Sequence, residues 1–285
     1  MFKLIKYEIK GSYKFFLGAI LTMMLALTIL QVNHRNQILN NYRLEDQNVV
    51  MQIFTSLSII SLIILLTAIV IYLINAFKKD LDTDQGYLTF SLPLNGYEVI
   101  GAKLATAVIT LLATAFLLVA YIQILSSLIF TKELSYSYTL FESLLQPLFL
   151  KVGFFSFIAL ITSLLLIYLA MTLSKVSLKN KKIGGYWFIV FIGLIILVGS
   201  LENTFSEAIP LYMDIDTINF TTTMPTHTFI EQTNLLSTSW INNFIIQNYY
   251  QAKTYLNVTN FIVKIFTIIA AFVATGYLLD KNIDL

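Results

Sequence analysis

Residues 50–77 read VMQIFTSLSIISLIILLTAIVIYLINAF, without one charged side chain. A helix needs about 20 residues to cross the ~30 Å hydrocarbon core of a bilayer, so this run is long enough to span it once. Inside lipid the backbone finds no water, and a helix satisfies its N–H and C=O groups within the segment. Five further runs share this character: 15–32, 99–130, 147–173, 186–200 and 258–279. The fifth is the shortest and is expected to extend to about Ile209, to tilt or to re-enter. The first follows Met1 to Lys14, is too long for a signal-peptide core and has no convincing cleavage site after it, so it reads as a retained span. The expected fold is an all-α integral membrane protein, one transmembrane domain over 1–285 with six transmembrane helices.

Composition agrees with this reading. Of 285 residues 57% are apolar and only 12% charged, about half the share of a globular protein, and the mean hydropathy is +0.77. A net charge of +2 implies no nucleic-acid partner, and the absence of cysteine removes disulfides, thiolate metal sites and a cysteine nucleophile.

Basic residues orient the spans. Six crossings put both termini on one side, which then holds twelve of the Lys and Arg residues, against six in the opposite loops and span ends. Nine acidic residues lie in those opposite loops. The positive-inside rule makes the lysine-rich side, with both termini, cytoplasmic.

Two cytoplasmic features go beyond topology. Lys3, Lys6, Lys10 and Lys14 recur at spacings of three and four, with Phe2, Ile5, Ile9 and Tyr13 on another face. That pattern predicts an interfacial amphipathic helix over 1–14, lying in the headgroup plane before the chain turns into the first span; the plainer reading is a basic flank that orients the span. The second feature is the stretch 78–101. Asp82 with Gln85 three residues on reads as a helix start, and Pro93 as its stop. Asn95 with Glu98 offers a second cap, opening the third span. A helix of about two turns over 82–92, carrying Tyr87, Leu88 and Phe90, cannot bury its own apolar face; it must lie on lipid or dock in a partner's groove.

On the outer side the segment 201–257 is long, and the apolar spacings within 229–255 suit an amphipathic helix or a pair of them. Asn219-Phe220-Thr221 and Asn257-Val258-Thr259 match the glycosylation sequon. Ala102, Thr106, Thr110 and Thr114 recur every fourth residue along the third span, a small-residue seam for helix packing within the monomer or between subunits. Lys103, Lys151 and Lys264 sit near span ends and are expected to snorkel to an interface, leaving the deep bundle nearly free of ionisable groups. No phosphate-binding loop and no HExxH motif occurs, and His34 and His227 both fall in outer loops. No catalytic, cofactor-binding or metal-binding residue is therefore assigned, and the chain reads as a non-enzyme.

Phe77-Lys78-Lys79-Asp80-Leu81, then GYLTFSLPL over 86–94 and IGAKL over 100–104, resemble the permease subunits of type-2 ATP-binding cassette exporters of low-GC Gram-positive bacteria. The six-span layout and the basic N-terminus extend the resemblance over most of the chain, whereas the segment after Leu201 is longer than in minimal members. The resemblance implies a permease in a bacterial plasma membrane, paired with a second copy or a sister permease. It also implies a separate ATPase subunit, which holds the ATP and magnesium. It makes 82–92 a coupling helix seated in that ATPase, with Asp82, Asp84, Tyr87, Leu88, Phe90 and Leu92 as the coupling residues. A pathway poor in charge suits outward movement of amphipathic or apolar cargo: a peptide such as a bacteriocin or toxin, a lipid-like molecule or a drug. The alternative is a self-sufficient secondary transporter, which should show ionisable groups deep in the membrane.

Overall fold

The computed structural model of the chain describes residues 2–39, 49–82, 95–129, 147–177, 186–214, 220–222, 245–248 and 253–281. Six helices are present among them: α1 (Phe2–Leu39), α2 (Val49–Asp82), α3 (Gly96–Ile129), α4 (Pro147–Ser177), α5 (Tyr186–Ala208) and α6 (Val258–Lys281). All six are long and apolar enough to cross a membrane. Large apolar side chains such as Phe116, Leu128 and Phe266 stand exposed along them, a surface matched to lipid rather than to water.

The turn expected between an interfacial helix over 1–14 and a first span does not occur, because α1 is one continuous 38-residue helix. The reason lies on its buried side. Ser12, Phe16, Ala19, Met23 and Ala26 are all buried at alternating steps of four and three, so one packing seam runs straight through the expected corner. Ser12 Oγ donates to the Glu8 carbonyl at 2.8 Å, and no proline interrupts the ladder. Lys3, Lys6, Lys10 and Lys14 are exposed on the first turns of that same rod.

The helices fall into two units. The first comprises residues 1–80 and 101–146. In it Phe15 of α1 stacks on Tyr72 of α2 at 4.3 Å between centroids, and Phe16 meets the same ring edge-on at 5.3 Å. Farther along, Gln31 Nε2 of α1 donates to the Ile122 carbonyl of α3 at 3.4 Å.

The second unit comprises 81–100 and 147–285. Here α4 packs against both α5 and α6, and α5 against α6. Every residue of α4 from Leu164 to Thr172 is buried, the mark of a helix covered all round. The first turn of α3 belongs to this unit. The helix begins where expected, directly after Asn95, whose backbone carbonyl accepts the first ladder bonds from the Glu98 and Val99 amides at 2.8 and 3.2 Å.

The chain is not all-α. Four short strands, β1 (Tyr212–Asp214), β2 (Phe220–Thr221), β3 (Ile245–Asn248) and β4 (Lys253–Asn257), form an antiparallel sheet in the order β2-β1-β4-β3. Tyr212 pairs with Asn257, and Ile245 with Leu256. The helix expected over 229–255 is thus overturned at 245–248 and 253–255; 223–244 lies outside the described residues. β-branched and aromatic side chains there fit a pleated surface. Leu256 is also buried beside Phe155 of α4, with Met213 and Phe261 packed against them. The fifth span runs eight residues past its expected end at Ser200, to Ala208, within reach of the Ile209 limit.

Candidate functional site

The six coupling residues divide at the edge of the description. Asp82 closes α2, which continues beyond Phe77 with Asp80 and Leu81 buried, instead of opening a new helix. Asp84, Tyr87, Leu88, Phe90 and Leu92 lie outside the described residues. What the structure does define is how each flank of that stretch is held.

In the first unit the holder is Lys103. Its Nζ lies 2.5 Å from Glu8 Oε1 of α1 and 2.7 Å from Asp80 Oδ2 of α2, and donates to the Ala76 carbonyl at 3.3 Å. The ammonium thus has two carboxylates and a carbonyl around it, at a side chain only 5% exposed. The expected snorkelling does not occur. Two facing helices bring carboxylates to the lysine, so it need not reach for water. Sequence reading gave no pairing role to Glu8, a lone acid between Lys6 and Lys10, or to Asp80, which directly follows Lys78-Lys79.

In the second unit the holder is the end of α6. Asp280 Oδ1 accepts from the Gly96 amide at the first turn of α3, where unpaired N–H groups and the helix dipole favour an anion. The approach needs two glycines. A β-carbon on Gly96 would lie 2.6 Å from the Gly276 carbonyl oxygen and 2.7 Å from Leu279 Cβ, and one on Gly276 would run into the Tyr97 ring. The stretch 83–94 is therefore flanked by Asp80, tied to α1 and α3, and by Gly96, tied to α6.

A second buried pair stands toward the other end of α5. Lys264 Nζ lies 3.3 Å from Glu202 Oε2. Glu202 is the buried residue of α5, and the two side chains line a cavity of about 160 Å3 together with Thr162, Ser163 and Asn203. Here too the expected snorkelling fails, because α5 extends through 202 and places a carboxylate opposite the lysine. The bundle is not as free of ionisable groups as expected: Asp80, Lys103, Glu202 and Lys264 are all buried.

Close to this end, Asn257 Nδ2 donates to Ser206 Oγ at 2.6 Å, and Asn257 Oδ1 caps α6 through the Asn260 amide at 3.1 Å. Buried and engaged in this way, Asn257 is no glycosylation acceptor in the folded chain. Tyr212 bonds to the same Ser206, and burial pushes its phenol above the ordinary tyrosine value, the hydrogen bond offsetting part of the shift.

Ala102, Thr106, Thr110 and Thr114 are all buried within a single chain. The hydroxyls of Thr106, Thr110 and Thr114 donate to carbonyls of their own helix at 2.8, 2.8 and 2.9 Å. The stripe consequently presents satisfied, small side chains. Among the described residues no three His, Asp or Glu side chains gather as a metal site. Compared with known proteins, the chain matches no family model, no curated protein and no solved structure.

Proposed function

We propose that the chain is the membrane-embedded, non-catalytic permease subunit of an ATP-driven exporter, working beside a second permease copy or a sister permease and energised by a separate ATPase that carries the ATP and magnesium. In this reading it sits in a bacterial plasma membrane with both termini cytoplasmic, and moves an amphipathic or apolar substrate outward. The observation that carries the proposal is the sequence between α2 and α3: GYLTFSLPL over 86–94, with Tyr87, Leu88 and Phe90 as the side chains a partner would grip. Its flanks support the reading. A lever must be stiff at its ends, and both flanks are held by buried or helix-capping carboxylates, Asp80 and Asp280. The exposed Lys3, Lys6, Lys10 and Lys14 on the first turns of α1 suit an anionic inner leaflet.

The deciding experiment is co-purification of the tagged full chain from its own host. An ATPase should accompany the wild type, and changing Tyr87, Leu88 and Phe90 together to alanine should cut its retention about tenfold or more, since buried aromatic anchors dominate such interfaces. A partnerless chain that moves solute by itself would overturn the reading. A self-sufficient secondary transporter is the second reading, and the observation that favours it is the Glu202–Lys264 pair buried within spans.

A further inference from the structure

α5 turns large apolar side chains outward, Ile189, Ile196 and Leu197 among them, and leaves Glu207 exposed, yet buries Glu202. Such an inversion calls for a reason at Glu202. Its Oε2 meets Lys264 Nζ at 3.3 Å, while Oε1 is buried without a hydrogen-bond partner. Charge-assisted N–H···O bonds prefer about 2.7–2.9 Å, so Lys264 holds the carboxylate loosely. A buried oxygen with no donor has lost its hydration and gained nothing in return.

The neighbours sharpen the demand. Thr162 Oγ1 donates to the Ile158 carbonyl and Ser163 Oγ to the Leu160 carbonyl, both at 2.8 Å. Their hydrogens are spent on α4, and their oxygens, like Glu202 Oε1, can only accept. The cavity they line is also bounded by Leu166 and Ile195, with exposed Asn203 at its rim. The missing component is a cluster of N–H donors on a positive centre, attached to something apolar.

We propose that this cavity binds a primary ammonium group carried on an apolar chain. On binding the Glu202 carboxylate turns so that Oε1, closed off in the empty site, accepts from the ammonium along with the hydroxyl oxygens, and the chain lies along the aliphatic lining toward the rim. A trimethylated ammonium has no N–H to give and is wider; an alcohol brings one uncharged donor. Lys264 has the same chemistry as the ligand, so it holds the carboxylate in the empty site and competes with the ligand for it. An amine-bearing lipid headgroup and a free amphipathic amine present the same group. The site is built from α4, α5 and α6 alone and does not rest on the ATPase-coupled reading.

The test uses the purified full chain in phosphatidylcholine nanodiscs, with dodecylammonium, dodecyltrimethylammonium and dodecanol as probes, read by thermal unfolding and native mass spectrometry. Dodecylammonium should bind saturably, one per chain, about tenfold or more tightly than the other two, as expected when a polar site is left unpaired by the wrong ligand. Glu202→Gln should weaken it by a similar factor, and Lys264→Met should tighten it by removing the competitor. Gly199→Leu leaves the pair intact: the glycine borders the cavity and has nothing within 4 Å of its β-carbon position, so the variant should fold, fill the space and abolish binding. A second set of nanodiscs, doped with phosphatidylethanolamine, separates the sources. Retention of that lipid, displaced by dodecylammonium, supports a headgroup ligand, and retention of dodecylammonium alone supports a free amine. Equal binding of the three probes, or undiminished binding by both Glu202→Gln and Gly199→Leu, overturns the site.

Discussion

Lys103 and Lys264 both lie near span ends, where a long side chain ordinarily reaches for the headgroups. Both instead end on carboxylates from other helices. Removing one partner of such a buried set strands the remaining charge, at about 3–5 kcal/mol. Lys103→Met, which leaves Glu8 and Asp80 facing each other, should therefore lower the unfolding free energy by about that amount in a denaturant titration. The glycines make a second residue-level contrast. Gly96→Ala puts a β-carbon 2.6 Å from a backbone oxygen that cannot swing away, and should cost about 1–3 kcal/mol. Gly11→Ala meets nothing within 4 Å and should be neutral or stabilise α1 by up to about 1 kcal/mol, measured the same way.

Among elements, the junction of α5, the sheet and α6 turns on Ser206, which serves both Tyr212 and Asn257. Asn257→Ala removes the α6 cap and that cross-link, and should cost about 1–2 kcal/mol. Tyr212 provides a pH handle. Its phenol titrates higher in the folded chain than the ordinary 10.0, so above that pH the folded state holds the proton more tightly than the unfolded state. The contribution is constant below about pH 10, and stability falls as pH rises beyond it. Tyr212→Phe should remove that part of the alkaline decline in the unfolding midpoint between pH 9 and about 11. Of these strands β3 and most of β4 were misread as helix because short apolar runs carry both periods. Ile245, Ile246 and Leu256 fit either pattern until β1 supplies an edge and Phe155 a surface.

For the whole molecule, orientation is the claim that sequence makes and packing leaves untouched. The chain has no cysteine, so single replacements report topology without background. Lys179→Cys should react with an impermeant maleimide only in inside-out vesicles, and Glu133→Cys only in right-side-out ones. Reaction of both from one side would overturn the six-span orientation. The two units set a further expectation. Each carries its own buried ionic cluster, Glu8–Lys103–Asp80 in one and Glu202–Lys264 in the other. Substitutions at Lys103 and Lys264 share no partner and should add in their effect on stability to within about 0.5 kcal/mol.

Hydrophobic runs were enough, by themselves, to establish six apolar helices, because burial in lipid acts on each segment separately; the bias of the lysines predicts their orientation. The start of α3 after Asn95 was legible for the same reason: helix-start signals are local. Tertiary structure decided everything that needs two segments at once. It ran the lysine-bearing N-terminus straight into α1 along a shared seam, turned part of the segment after α5 into strands, and brought Glu8 and Asp80 to Lys103, Glu202 to Lys264 and Asp280 to Gly96. An isolated acid in a sequence carries no sign of its partner, since the distance that sets an ion pair is measured across helices, not along the chain.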